Sequence, residues 1–209
     1  MPTRMSRPQS QAQTRARLIE SAATLYLRDG YAATSNNQVA EAAGYSRGAV
    51  YSNFASKEDL ALAVLDKHTA EEFEAVRHIM ATGTVAERIT ALRTWMAATI
   101  QDPQWALFKA ELAFAARHSR TLPAQLAERD QNARRELTEL IEQVTAELEV
   151  AVPIRPQVLA GLILALGKGI AIDCLVEPAE PQSWIDEIFT LVEPLLTLLA
   201  IDPSADRQS

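Results

Sequence analysis

Residues 42–60 read AAGYSRGAVYSNFASKEDL, and the oddity among them is the glycine at position 48. It stands between Arg47 and Ala49 in a segment whose surroundings predict a short helix, where glycine costs about 1 kcal/mol relative to alanine. Upstream, Ser35 and Gln38 form a capping-box pattern. Val39, Ala40 and Ala43 then face inward, and Gly44 is the stop. Downstream, Ser46 caps RGAVYSNF, a helix of barely two turns. Ser56 caps the next helix, whose first turn carries Glu58 and Asp59, the favourable signs for a helix N-terminus. Two short helices joined by a tight turn have the layout of a helix-turn-helix unit.

The same helical period extends in both directions. Before the unit, TRARLIESAATLYLRDG (14–30) sets Leu18, Ile19, Ala22, Ala23, Leu25 and Tyr26 on one face, which predicts a helix over 12–29 ended by Gly30. After it, longer helices are expected at 56–80, 84–101, 104–118, 122–149, 155–176 and 182–200. Their breaks fall at Gly83, Asp102-Pro103, Leu122-Pro123, Val152-Pro153 and the loop 177–181, and Pro194 should kink the last one. No segment alternates as a strand would. The expected fold is therefore all-α, with a disordered arm at 1–11, a three-helix head at 12–56, a larger helical body at 57–202 and a disordered tail at 203–209.

Charge divides the chain in the same place. Residues 1–57 hold seven Arg and Lys against three acids, a net +4 in a chain whose total is −7. A small basic head on an acidic body suits a polyanionic partner at one end only. The single cysteine, Cys174, rules out a disulfide within the chain, and its apolar setting favours a core thiol over a redox sensor. The first fifteen residues contain no apolar signal region, and the apolar run at 158–177 is interrupted by Lys168 and Asp173. These features give the expectation of a soluble, cytoplasmic protein with no membrane partner.

A use for Gly48 follows. A recognition helix brings its N-terminal half against the walls and base edges of a DNA major groove about 12 Å wide, and small residues such as Gly48 and Ala49 permit that approach. Arg47, beside them, is placed for a bidentate contact to guanine. Lys57 lies at the positive end of the following helix, where a bound phosphate would turn a local liability into a site. Tyr51 and Asn53 are expected to reach phosphates as well, while Val50 and Phe54 face the core. Each residue has a plainer reading, with Gly48 serving tight packing, Lys57 solvated and Tyr51 in the core, but the three would have to coincide.

TSNNQVAEAAGYSRGAVYSNFASKEDLALAV (34–64), with LIESAATLYLRDGYAA (18–33) before it, closely resembles the DNA-binding head of the TetR family of bacterial transcription regulators. The landmarks are Gly30-Tyr31, Ala43-Gly44, Tyr51, Phe54 and Ser56-Lys57-Glu58. The resemblance covers roughly residues 15–65 and implies an all-helical homodimer with a ligand-sensing body. By position it assigns Ser35 to a phosphate and Asn37 to a base edge, Arg47, Gly48 and Ala49 to bases, and Tyr51, Asn53 and Lys57 to the DNA backbone. Asn36 departs from the family pattern, standing where an apolar residue is usual.

In the body, Gly161, Ala165 and Gly169 recur every four residues, and helices 155–176 and 182–200 are expected to form a dimer interface with their symmetry mates. GKG at 167–169 lacks the rest of a P-loop and lies within a helix. Trp95, Trp105, Phe108 and Phe114 are nominated for an effector pocket, although such aromatics at helical spacing are more often ordinary core. His68 with Glu72 is nominated as a polar anchor, against the commoner reading as a surface pair. His78 and His118 are too isolated to nominate. No cofactor or metal is expected, and the chain lacks the nucleophile elbow, HExxH or paired ligand motif that an enzyme would show. The function expected is a ligand-responsive regulator, a repressor that leaves a pseudo-palindromic operator when a small apolar or aromatic effector binds. The alternatives are a DNA-organising role or a protein partner in place of the small molecule.

Overall fold

The computed structural model describes residues 7–149, 152–176 and 190. The described residues form eight helices and no strand: α1 (Arg7–Asp29), α2 (Asn36–Ala42), α3 (Arg47–Asn53), α4 (Lys57–Ala81), α5 (Val85–Gln101), α6 (Pro103–Ala116), α7 (Leu122–Glu147) and α8 (Pro156–Val176). The expected helix at 182–200, its kink at Pro194, the tail at 203–209 and most of the arm lie outside the described residues.

Helix α1 starts at Arg7, five residues before the expected position. Its first turns are polar and exposed, so no apolar period announces them. They are held by the backbone ladder, with Thr14 Oγ1 donating to Ser10 O at 2.9 Å. Pro8 is tolerated because first-turn N–H groups lack intrahelical partners. The capping box of α2 forms as expected, Gln38 N–H donating to Ser35 Oγ at 3.3 Å and Ser35 N–H to Gln38 Oε1 at 2.8 Å. Ser46 sits at the α3 N-cap with extended backbone but makes no side-chain cap bond, contrary to expectation. Ser56 does cap α4, accepting from Asp59 N–H at 3.0 Å.

The chain divides into two compact units. The first comprises residues 1–71 and 104–129, so α6 and the start of α7 join the three helices of the head. Its core gathers Leu18, Ala22 and Tyr26 of α1, Val39 of α2, Val50 and Phe54 at α3, Leu60 and Val64 of α4, and Phe108 and Leu112 of α6. A smaller cluster joins Leu62, Ala116 and Leu122. Arg129 grips Asp66 with two bonds, at 2.6 and 2.8 Å.

The second unit comprises residues 72–103 and 130–209. Here Ile170 of α8 packs on Ile89, Leu92, Met96 and Ala97 of α5, and Arg88 pairs with Glu147 at 2.9 Å. Helix α8 is more membrane-like than its interrupting charges suggest. Its stretch Pro156–Asp173 is long and apolar enough to cross a membrane by length and composition, with a mean hydropathy of 1.4. Yet Lys168 within it pairs with Asp130 at 2.8 Å, an ion pair suited to an aqueous surface. Val158, Leu162, Ile163, Leu166 and Ile172 all stand exposed along it.

Candidate nucleic-acid interface

The start of α3 presents Arg47 and Gly48 on the surface, with Ala49 half-buried behind them. A Cβ at Gly48 would meet only Ser46 Oγ, at 3.7 Å, an ordinary contact, and the backbone there is not left-handed. Nothing among the described residues therefore requires glycine at 48. Val50 and Phe54 turn inward at 0% and 3% exposure, as their spacing predicts, and fix which face of α3 points out.

Tyr51 is half exposed and lies on that outward face. The Arg47 guanidinium stands 5.4 Å from the Tyr51 ring centroid. A hydrogen bond from Arg47 and its charge hold the phenol below its ordinary pKa, and a weaker bond to Asn36 acts in the same direction. Asn36 is buried, unlike its exposed neighbour Asn37, and its side chain favours the ionised form of the Tyr51 phenol.

Three of the residues nominated for DNA are engaged within the chain. Ser35 Oγ donates to Gln38 Oε1 at 2.7 Å within the capping box. Asn53 does not reach out: its Nδ2 donates back to Ala49 O at 2.8 Å, satisfying a carbonyl near the helix end. Lys57 is not a free surface cation. Its Nζ donates to Ala32 O at 3.3 Å and lies 4.3 Å from the Tyr31 ring centroid. Burial lowers its pKa, while the charges of Glu58 and Glu111 act the other way.

Two residues beyond those nominated hold this surface. Arg15 of α1 donates to Asn53 O at 2.8 Å and lies 4.2 Å from the Phe54 ring centroid, anchoring the end of α3. Glu111 of α6 accepts from the backbone N–H groups of Tyr31 and Ala32. No local period singles out either residue, because each acts on a segment distant in sequence.

The nominated effector residues are divided between the two units. Phe108 is 1% exposed and stacks on Tyr26 with ring centroids 5.3 Å apart, which makes it core of the first unit. Trp105 stacks on His68 at 3.6 Å and meets Phe108 edge-on. Their apolar character is used in packing. Phe114 points into solvent at 68% exposure. Trp95 and Glu72 are half-buried in the second unit. No group of three or more His, Cys, Asp or Glu side chains suited to a metal occurs among the described residues. Of the three small residues of α8, Gly161 already lies under Arg134 of its own chain, whose Nη1 is 3.2 Å from the place of a Cβ. Ala165 is exposed and Gly169 faces open space.

An all-helical chain with an amino-terminal helix-turn-helix head is what the fold and this surface define. Residues 18–64 match the family model described as bacterial regulatory proteins, tetR family. The chain is 34% identical over 70 residues to the HTH-type transcriptional activator FasR of Mycolicibacterium smegmatis, covering 34% of this chain and 32% of that one. It is 43% identical over 54 residues to the HTH-type transcriptional regulator TtgR of Pseudomonas putida, covering 26% of each. These matches thus span a third or less of the relatives' own length. A putative TetR-family transcriptional regulator from a Rhodococcus species shares the fold over 87% of this chain and 97% of its own, with a TM-score of 0.71 and 23% identity.

Proposed function

We propose that this protein is a cytoplasmic, ligand-responsive transcriptional regulator that binds a pseudo-palindromic operator as a homodimer and represses from it. The observation that carries the reading is the outward face of α3, where Arg47 and Tyr51 flank a glycine that no contact among the described residues requires. Arg47, Gly48 and Ala49 meet bases, with Asn37 at a further base edge. Tyr51 and Lys57 hold phosphates, Lys57 from its place beside Ala32 and the Tyr31 ring. Two heads about one helical turn apart, roughly 34–36 Å, engage successive major grooves. The second copy docks on α8, whose exposed Leu162 and Leu166 accompany Ala165 and Gly169. An apolar or aromatic effector that favours the conformer unable to bind DNA releases the operator. The reading assigns no catalytic step.

A protein partner in place of the small molecule stays as a second reading, favoured by one observation. The depression of about 540 Å³ beside Arg134, Arg155 and Leu162 is open to solvent rather than a closed apolar cavity.

The test is a salt-resolved binding titration of the purified protein against a library of short genomic duplexes, with the bound fraction sequenced. An enriched pseudo-palindrome is the expected result; binding without sequence preference would overturn the regulatory reading.

A further inference from the structure

Glu111 lies on α6, about eighty residues from the turn that it touches. Its Oε2 accepts from the N–H groups of both Tyr31 and Ala32, the latter at 3.3 Å. These two donors follow Gly30, the left-handed stop of α1 at φ +88°, and a Cβ on Gly30 would lie 2.9 Å from Glu111 Oε1. Glycine at 30 therefore satisfies the backbone conformation and also makes room for the carboxylate. The turn held in this way is the one that Lys57 grips, through Ala32 O and the face of Tyr31. The peptide units of Tyr31 and Ala32 thus have a carboxylate on their donors and an ammonium on an acceptor. The Tyr31 ring is fixed between Tyr26 and Phe108.

We propose that Glu111 is a positioning residue for DNA binding, fixing through the turn at residues 30–32 the place from which Lys57 meets phosphate. The proposal rests on the DNA-binding reading above. Glu111 touches no DNA itself. It makes the position of α6 a determinant of the cationic start of α4, and any event that draws α6 away loosens two backbone amides and one lysine together. Glu111 also favours the charged form of Lys57, opposing the effect of burial.

The test compares Glu111→Ala, Glu111→Gln and Lys57→Ala, singly and combined, in the full-length protein. Without DNA, Glu111→Ala is expected to raise hydrogen exchange at the Tyr31 and Ala32 amides about tenfold and to move the Lys57 amine titration to lower pH. Glu111→Gln, which keeps an acceptor, should retain most of the amide protection and guards against a variant that simply fails to fold. With DNA, Glu111→Ala is expected to weaken binding about tenfold, Glu111→Gln less than about threefold, and the loss should shrink below about threefold in the Lys57→Ala background. Unchanged amide exchange and Lys57 titration would overturn the geometry whether or not DNA binds. A full tenfold loss in both backgrounds would reduce Glu111 to a general stabiliser and overturn the positioning role. A wild-type protein that binds no DNA would defeat the functional reading, with the exchange and titration results still deciding what Glu111 does to the turn.

Discussion

The first unit closes fourteen buried side chains into one continuous cluster that spans α1, α2, α3, α4 and α6. In the second, among the described residues, the α5–α8 cluster is built on one buried isoleucine, Ile170, with four partly buried partners. Helix α8 there leaves Leu162, Ile163, Leu166 and Ile172 in water. Both units are rich in apolar residues, so composition does not separate them. The difference lies in how far, among the described residues, the apolar face of each helix is covered. A folded chain seldom leaves that much apolar surface open unless something else covers it. The first unit has a continuous core, and in the second, among the described residues, α8 keeps an apolar face exposed.

The sharpest way to break that comparison is to remove a ring from the first core. Phe108→Ala should destabilise the protein by about 3–5 kcal/mol in denaturant melts, since the ring is fully buried between Tyr26 and Tyr31 and the cavity cannot collapse freely. If Phe108 instead lined an effector pocket, the loss would be far smaller. The second unit is tested by Leu166→Glu, which leaves the fold of one chain intact but places a charge where a second copy is proposed to dock. The dimer dissociation constant should rise on the order of a hundredfold, about 3 kcal/mol, by sedimentation. A dimer unaffected by this change would remove α8 from the interface.

Smaller effects sharpen the reading of the exposed face of α3. Arg47→Ala should cost about 1–3 kcal/mol on the preferred operator and little on random duplex, whereas Lys57→Ala should weaken both alike and lower the salt slope by about one. Equal losses on both duplexes for Arg47→Ala would sink its contact to a base. Least of all, Thr84→Ala removes the cap of α5, whose hydroxyl accepts from Glu87 N–H at 3.4 Å. It should cost about 1 kcal/mol in the same melts, with operator affinity unchanged.

The head was legible because its signals are local. Capping residues, stop glycines and a 3.6-residue period all act within one or two turns, so α2, the α3 face bearing Val50 and Phe54, and the Ser56 cap of α4 could be read from neighbours in sequence. The start of α1 at Arg7 escaped because polar, solvated turns carry no period. Ser46 shows the limit of a capping pattern: the backbone takes the cap conformation while the hydroxyl makes no bond. The packing of the nominated effector residues was illegible for another reason. Trp105 and Phe108 have the composition of a pocket wall, and only their packing against His68 and Tyr26 shows them filled.

By itself the sequence determined the all-helical class, the helix-turn-helix and the outward placement of Arg47 and Tyr51, because each depends on residues within a few positions of one another. Only the tertiary structure decided that α6 belongs with the head, that Asn53 and Ser35 turn inward to backbone and cap, and that Glu111 and Lys57 clasp the same turn. Those outcomes depend on contacts between side chains tens of residues apart. Such contacts are set by how helices pack, and no local pattern encodes them.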